Sequence, residues 1–187
     1  MKKIDFIEWL LTFSIILLAL IGICILILGL NNIIEQVSIY KNKPQKYTVC
    51  FTPGDHCDDL VVKEIQTAHK DILIQAYHLS SHKIVAALLA KEAQSVPITV
   101  ILDKTARKEA IPFLQANIPV YIDDKVRIAH NKVMVIDDVT TITGSFNFTD
   151  SAQSRNAENL LVIDNGQLAS EYENNFYDRL NNSKEMR

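Results

Sequence analysis

Hydrophobic and polar positions divide the chain into two unlike parts. From Leu10 to Leu30 the run "LLTFSIILLALIGICILILGL" carries no charged residue. As a helix it would be about 31 Å long, enough to cross a bilayer. No polar face interrupts it, which argues against a buried helix of a soluble fold. Lys2 and Lys3 give it the basic start of a cleavable signal. A signal's apolar region, however, is about 7–15 residues and ends at a small-residue site, which "LGLNNIIEQ" lacks. The reading is therefore a transmembrane helix over residues 10–30, after a flank at 1–9, with a cleaved signal as the alternative. Residues 31–46, polar and containing Pro44, read as a linker or as a helical continuation that stops before Pro44.

From residue 47 to 187 the periodicity alternates between two and about 3.6. "YTVCF", "DILIQAYHL", "PITVILD" and "PVYID" read as strands. Between them, "CDDLVVKEIQTAHK" has Leu60, Val61, Ile65 and Ala68 on one stripe, and "SSHKIVAALLAKEAQSV" is a helix with serines placed to cap it. "ARKEAIPFLQANI" is a weaker helix, disturbed by Pro112. "KVRIAHNKVMVID" and "VTTITGSF" form a hairpin across Asp137-Asp138, a pair suited to a tight turn. "SAQSRNAE" is loop or a single helical turn. "NLLVID" and the amphipathic "GQLASEYENNFYDRLNN" close the chain. Strand–helix alternation followed by a hairpin predicts an α/β sandwich: a mixed sheet flanked by helices.

Composition sharpens this only in places. The net charge is −3, and from Gln45 onward 15 Lys and Arg stand against 19 Asp and Glu, so no overall basic field announces nucleic acid. Local basic clusters remain at 104–108 and at Lys125 and Arg127. Cys24 is an apolar filler within the span. Cys50 and Cys57 bracket "FTPGDH" and are placed for a small disulfide loop, which would put the domain in an oxidising compartment. Two free thiols are the plain alternative, and a zinc site with His56 lacks a fourth ligand nearby. The Lys residues on either side of the span do not fix its orientation.

The chemistry concentrates in "HNKVMVIDD" and "TGSFNF". His130 and Lys132 are two apart, as are Ser145 and Asn147, so on paired strands each pair shares a face. Imidazole, ammonium, hydroxyl and carboxamide all donate hydrogen bonds, a set suited to phosphodiester oxygens. Gly144 permits close backbone approach just before Ser145. Asp137 is at an odd offset from His130 and is expected to anchor structure on the opposite face. Glu158, in "RNAENLL", is a further carboxylate near the unit, able to fix an imidazole tautomer. His56, His69, His78 and His82 begin no similar pattern and read as surface residues; His78 and His82 also have the i, i+4 spacing of metal ligands.

These residues resemble the signature of the phospholipase D superfamily, His-x-Lys-x4-Asp-x6-Gly-Ser, complete at His130, Lys132, Asp137 and Ser145. With "NAEN", "CFTPG" and "ILIQAYHLSS", residues 47–180 are similar to its small single-motif bacterial branch, which includes periplasmic nucleases. The resemblance implies a metal-independent phosphodiesterase without cofactor. The catalytic set it implies is His130, Lys132, Asp137, Ser145, Asn147 and Glu158: His130 would be the nucleophile and form a phosphohistidine, and Lys132, Ser145 and Asn147 would hold the phosphate. It also implies a homodimer, since the mechanism asks for two histidines and each chain carries one motif. An endonuclease is the first expectation, at the bacterial inner membrane with a periplasmic catalytic domain. A phospholipase D or cardiolipin hydrolase, brought to its lipid by the anchor, is the alternative, and a non-catalytic nucleic-acid or protein binding module is the third.

Overall fold

The computed structural model describes residues 3–41 and 46–186, in two compact units. The first unit is one helix, α1 (Lys3–Lys41). Its apolar stretch Glu8–Ile34 is long enough to cross a membrane, a test that a signal sequence also passes. Helix thus continues well past Leu30, the second of the two readings of the 31–46 segment; Lys2 and residues 42–45, with Pro44, lie outside the described residues.

The second unit is an eight-stranded mixed sheet. Its strands are β1 (Lys46–Thr52), β2 (Ile72–Ala76), β3 (Ile98–Asp103), β4 (Val120–Asp123), β5 (Lys132–Ile136), β6 (Thr140–Gly144), β7 (Glu158–Asp164) and β8 (Lys184–Met186). They lie in the order β1-β7-β6-β5-β2-β3-β4-β8. β2, β3 and β4 run parallel, while β5, β6 and β7 form an antiparallel meander. β5 joins the two halves through an antiparallel pairing with β2.

Helices cover both faces. On one, α2 (Cys57–Thr67) and α3 (His82–Glu92) bury Val61, Ile65, Ile84 and Leu88 against Ile74, Met134, Ile142 and Leu160. Phe113, from α4 (Ile111–Gln115), and Phe146 and Phe148 complete this core. Each such side chain contributes about 1.5–3 kcal/mol by leaving water. On the other face, α6 (Gly166–Asn181) sets Ala169 and Phe176 on Leu73, Ile101, Val133 and Val135. The aromatics of "EYENNFYDRL" divide accordingly: Phe176 is core, Tyr172 packs at its margin and Tyr177 is exposed.

The differences from the sequence reading lie at element ends. β2 stops at Ala76 and β5 starts only at Lys132, so His78 and His130 both stand in the connections beyond the strands. The helix disturbed by Pro112 begins as a 3-10 segment, Lys104–Ala110, and Pro112 falls in the first turn of α4, where its missing N–H costs nothing. Ser81 occupies the N-cap of α3 without a capping hydrogen bond. "SAQS" forms a short helix, α5 (Asp150–Ser154), capped by Thr149. β8, three residues on the edge of β4, has no sequence signature.

Candidate active site

Antiparallel pairing brings the start of β5, the end of β6, the start of β7 and the end of β2 to one end of the sheet. His130, Lys132, Ser145, Glu158 and Tyr77 therefore meet there. Glu109, in the 3-10 segment, and Asp103, at the end of β3, hold the loops around them.

Lys132 is the buried member. Its Nζ donates to the His130 carbonyl at 2.8 Å and lies 5.0 Å from the centre of the Tyr77 ring. Burial pulls its pKa below the usual lysine value, and the negative charge of Glu158 works against that shift. The ammonium is thus held in place by a carbonyl and a π face. Neither neutralises it, and its charge stays available to an anion. His130 is exposed, with its ring 4.6 Å from that of Tyr77. The backbone before it is fixed by Asp103, which accepts from the Ala129 N–H at 2.7 Å and from Thr105. Burial opposes the Asp103 charge, yet these hydrogen bonds keep its carboxyl below the usual range.

Ser145 and Glu158 form a second pair. Ser145 Oγ donates to Glu158 Oε2 at 2.6 Å and accepts from the Asn159 N–H at 3.0 Å. Asn156 donates to the other Glu158 oxygen at 2.9 Å. This packing requires Gly144: its φ is +151°, and a Cβ there would sit 2.3 Å from the Asn159 carbonyl oxygen. Asn147 is half-buried, with an Oδ1 that has no hydrogen-bond partner. Its place is two residues beyond Ser145, on the wall of a neighbouring pocket.

Two expectations separate here. Asp137 belongs to the motif by spacing but not to the site. It follows the far end of β5, and its carboxylate accepts backbone N–H groups of His69, Lys70 and Asp71 at 2.7–3.2 Å. It is an anchor between the β5–β6 turn and the entry to β2; the turn itself has positive φ at both Asp137 and Asp138, as a type I′ hairpin requires. Cys50 and Cys57 are bonded to each other, so neither is a thiolate ligand for zinc. Among the described residues, His56, Asp58 and Asp59 bring metal-capable atoms together, but the Lys83 ammonium already lies 3.1 and 2.6 Å from the two carboxylates.

Sequence reasoning passed over Tyr77 and the pair at His78. His78 Nδ1 lies 2.7 Å from Glu109 Oε1, and the other Glu109 oxygen accepts from the Leu79 N–H at 2.6 Å. The only signal was "AYHL" at the end of a strand; Glu109 comes from 31 residues further along.

Comparison with known proteins agrees with this fold. Residues 61–180 match the family described as cardiolipin synthase, PLD-like domain. The chain is 39% identical over 150 residues to a phospholipase D of Rickettsia bellii, covering 78% of this chain and 75% of that protein. It is 26% identical over 134 residues to a mitochondrial cardiolipin hydrolase of Xenopus laevis, covering 68% of this chain and 64% of that protein. Among solved structures, Nuc from Salmonella typhimurium, a phospholipase D family member, superposes with a TM-score of 0.72 at 31% identity, over 77% of this chain and 99% of that one. NucT from Helicobacter pylori shares the fold, with a TM-score of 0.67 at 20% identity, over 76% of this chain and all (100%) of that one. Fold and site together define a phosphodiesterase: a donor-lined end of a mixed sheet with an imidazole at its mouth. The chain belongs to the phospholipase D superfamily.

Proposed function

We propose that this protein is a metal-independent endonuclease that cleaves phosphodiesters through a phosphohistidine at a homodimeric site. The observation that carries the reading is the pairing of an exposed imidazole, His130, with a buried ammonium, Lys132, beside the Ser145–Glu158 pair. His130 attacks phosphorus. Lys132, Ser145 and Asn147 hold the non-bridging oxygens as charge builds on them. A second imidazole protonates the departing oxygen, then activates water against the phosphohistidine.

The partner chain is the source of that second imidazole in this reading. His78 has Nδ1 committed to Glu109 and faces another pocket. The exposure of His130 at the end of the central strands supports a meeting with its two-fold copy. The Cys50–Cys57 disulfide supports a periplasmic catalytic domain, and α1 supports a membrane anchor that holds it there.

One observation favours a lipid substrate as the second reading. A cleft of about 470 Å3 is lined by Leu79, Val85, Leu89 and Pro112, with Lys108 and Glu109 also on its wall, apolar surface that could take part of an acyl chain. The experiment is direct. Full-length protein in detergent is given DNA, RNA and phosphatidylglycerol in EDTA, alongside His130→Ala. The reading expects nucleic-acid cleavage by the wild type alone. Cleavage that needs added magnesium, or that survives the substitution, overturns it, and consumption of lipid alone selects the second reading.

A further inference from the structure

Next to the catalytic residues lies a pocket of about 650 Å3, within the range of small-molecule sites. Its wall is continuous with the site through Asn147 and through Asn156, which holds Glu158. The Tyr77 ring packs on both sides of this boundary, 4.6 Å from His130 and 4.4 Å from His78.

The chemistry of the lining restricts the occupant. His78 is paired with Glu109 at 2.7 Å and His82 with Asp150 at 2.5 Å. Two carboxylates on the wall disfavour a second phosphate, because like charges repel at short range. The remaining lining residues carry hydroxyls and carboxamides, with no aliphatic side chain beyond the methyl of Thr149, so an acyl chain gains little there. What fits is a neutral group rich in both donors and acceptors, covalently next to the phosphate. Glu109 and the Leu79 backbone fix His78 so that Nε2 is the nitrogen left for a ligand.

We propose that this pocket is the subsite for the nucleoside adjoining the scissile phosphate, with His78 as a specificity residue hydrogen-bonding it through Nε2. The proposal rests on the nuclease reading. Sugar hydroxyls and a base edge supply the mixed donors and acceptors that the wall can satisfy. The same wall explains how a domain with no overall basic field can prefer nucleic acid. Selectivity comes from one nucleoside held beside the phosphate, with no need for a long positive groove.

The test uses two chromogenic diesters and the full-length protein. One is thymidine 5′-(p-nitrophenyl phosphate), which carries a nucleoside. The other is bis(p-nitrophenyl) phosphate, which does not. The variants are His78→Ala, which removes the ligand contact, and Ser151→Trp, which fills the pocket from α5 without touching the motif. The readout is the ratio of kcat/KM for the nucleotide ester over that for the simple diester. The wild type should favour the nucleotide ester. Both variants should lower the ratio at least tenfold, through KM of the nucleotide ester. An unchanged ratio in both variants overturns the proposal, and so does equal loss on both substrates, which would put His78 in the chemistry itself. A wild-type enzyme that turns over the simple diester but shows no preference for the nucleotide ester sinks the subsite alone; the nuclease reading fails separately, if DNA and RNA are left uncut.

Discussion

Gly144→Ala is the smallest change that strikes fold and site together. The added methyl would lie 2.3 Å from the Asn159 carbonyl oxygen and 3.0 Å from its carbonyl carbon, where ordinary contact needs about 3.4 Å or more. The obstacle is backbone, so a rotamer change cannot relieve it. The φ of +151° adds strain of about 1–3 kcal/mol for a residue with a side chain. Forcing β6 and β7 apart by about 1 Å costs a further 1–3 kcal/mol, by analogy with overpacked cores. The domain should thus lose about 2–6 kcal/mol. For a domain of this size that is a fall in Tm of roughly 5–20 °C, readable by differential scanning fluorimetry. Activity should fall further than stability predicts. The displaced strand carries Glu158, and Ser145 hangs on the Asn159 N–H, so the Ser145–Glu158 pair, in the proposed site, moves with it. A displacement of about 1 Å can cost about 100-fold in rate. Rates measured well below Tm on bis(p-nitrophenyl) phosphate separate the two effects. A variant with wild-type Tm and wild-type kcat would refute the claim that this glycine sets the position of Ser145.

Two further perturbations distinguish anchoring from chemistry. Asp137→Ala removes the acceptor for three backbone N–H groups and should cost about 1–3 kcal/mol in urea unfolding, while kcat of the remaining folded protein stays within a few-fold; a catalytic collapse with unchanged stability would reverse that assignment. Glu173, on α6, is raised from 4.5 to about 7, first by burial and then by Asp138 and Asp71, with Lys70 opposing. Its protonated form is the one the fold favours, so the stability it contributes is full below about pH 4.5 and is lost as pH rises through about 7. Unfolding free energy should decline across that window and the decline should flatten in Glu173→Gln; an unaltered pH profile in the variant would contradict the assignment.

The elements were legible where period and length agreed. The mostly apolar runs at Ile72–Ala76 and Ile98–Asp103 and the stripe of α2 each specified their burial locally. The motif was legible as a fixed spacing of residue types, although the strand argument holds only for Lys132: β5 begins there and β6 ends at Gly144, so His130, Ser145 and Asn147 are set by the connections. What stayed hidden depends on contacts remote in sequence. Glu109 reaches His78 because β2 and β3 are parallel neighbours, and no local pattern announces that. Asp137 shows the converse: it is part of a sequence signature, yet strand length carries it to the other end of the sheet. β8 pairs through three backbone positions, too few for a periodic signal.

The account stands or falls on a covalent bond between phosphorus and one nitrogen of residue 130. Rapid quenching of the full-length enzyme with a phosphorus-32-labelled diester, followed by alkaline digestion and mass spectrometry, reads that bond directly. An acid-labile, alkali-stable phosphate on the peptide containing His130, formed within a single turnover and lost when water is allowed to react, is the predicted result. Turnover at full rate with no label on that peptide, or with label that persists in His130→Ala, would contradict it.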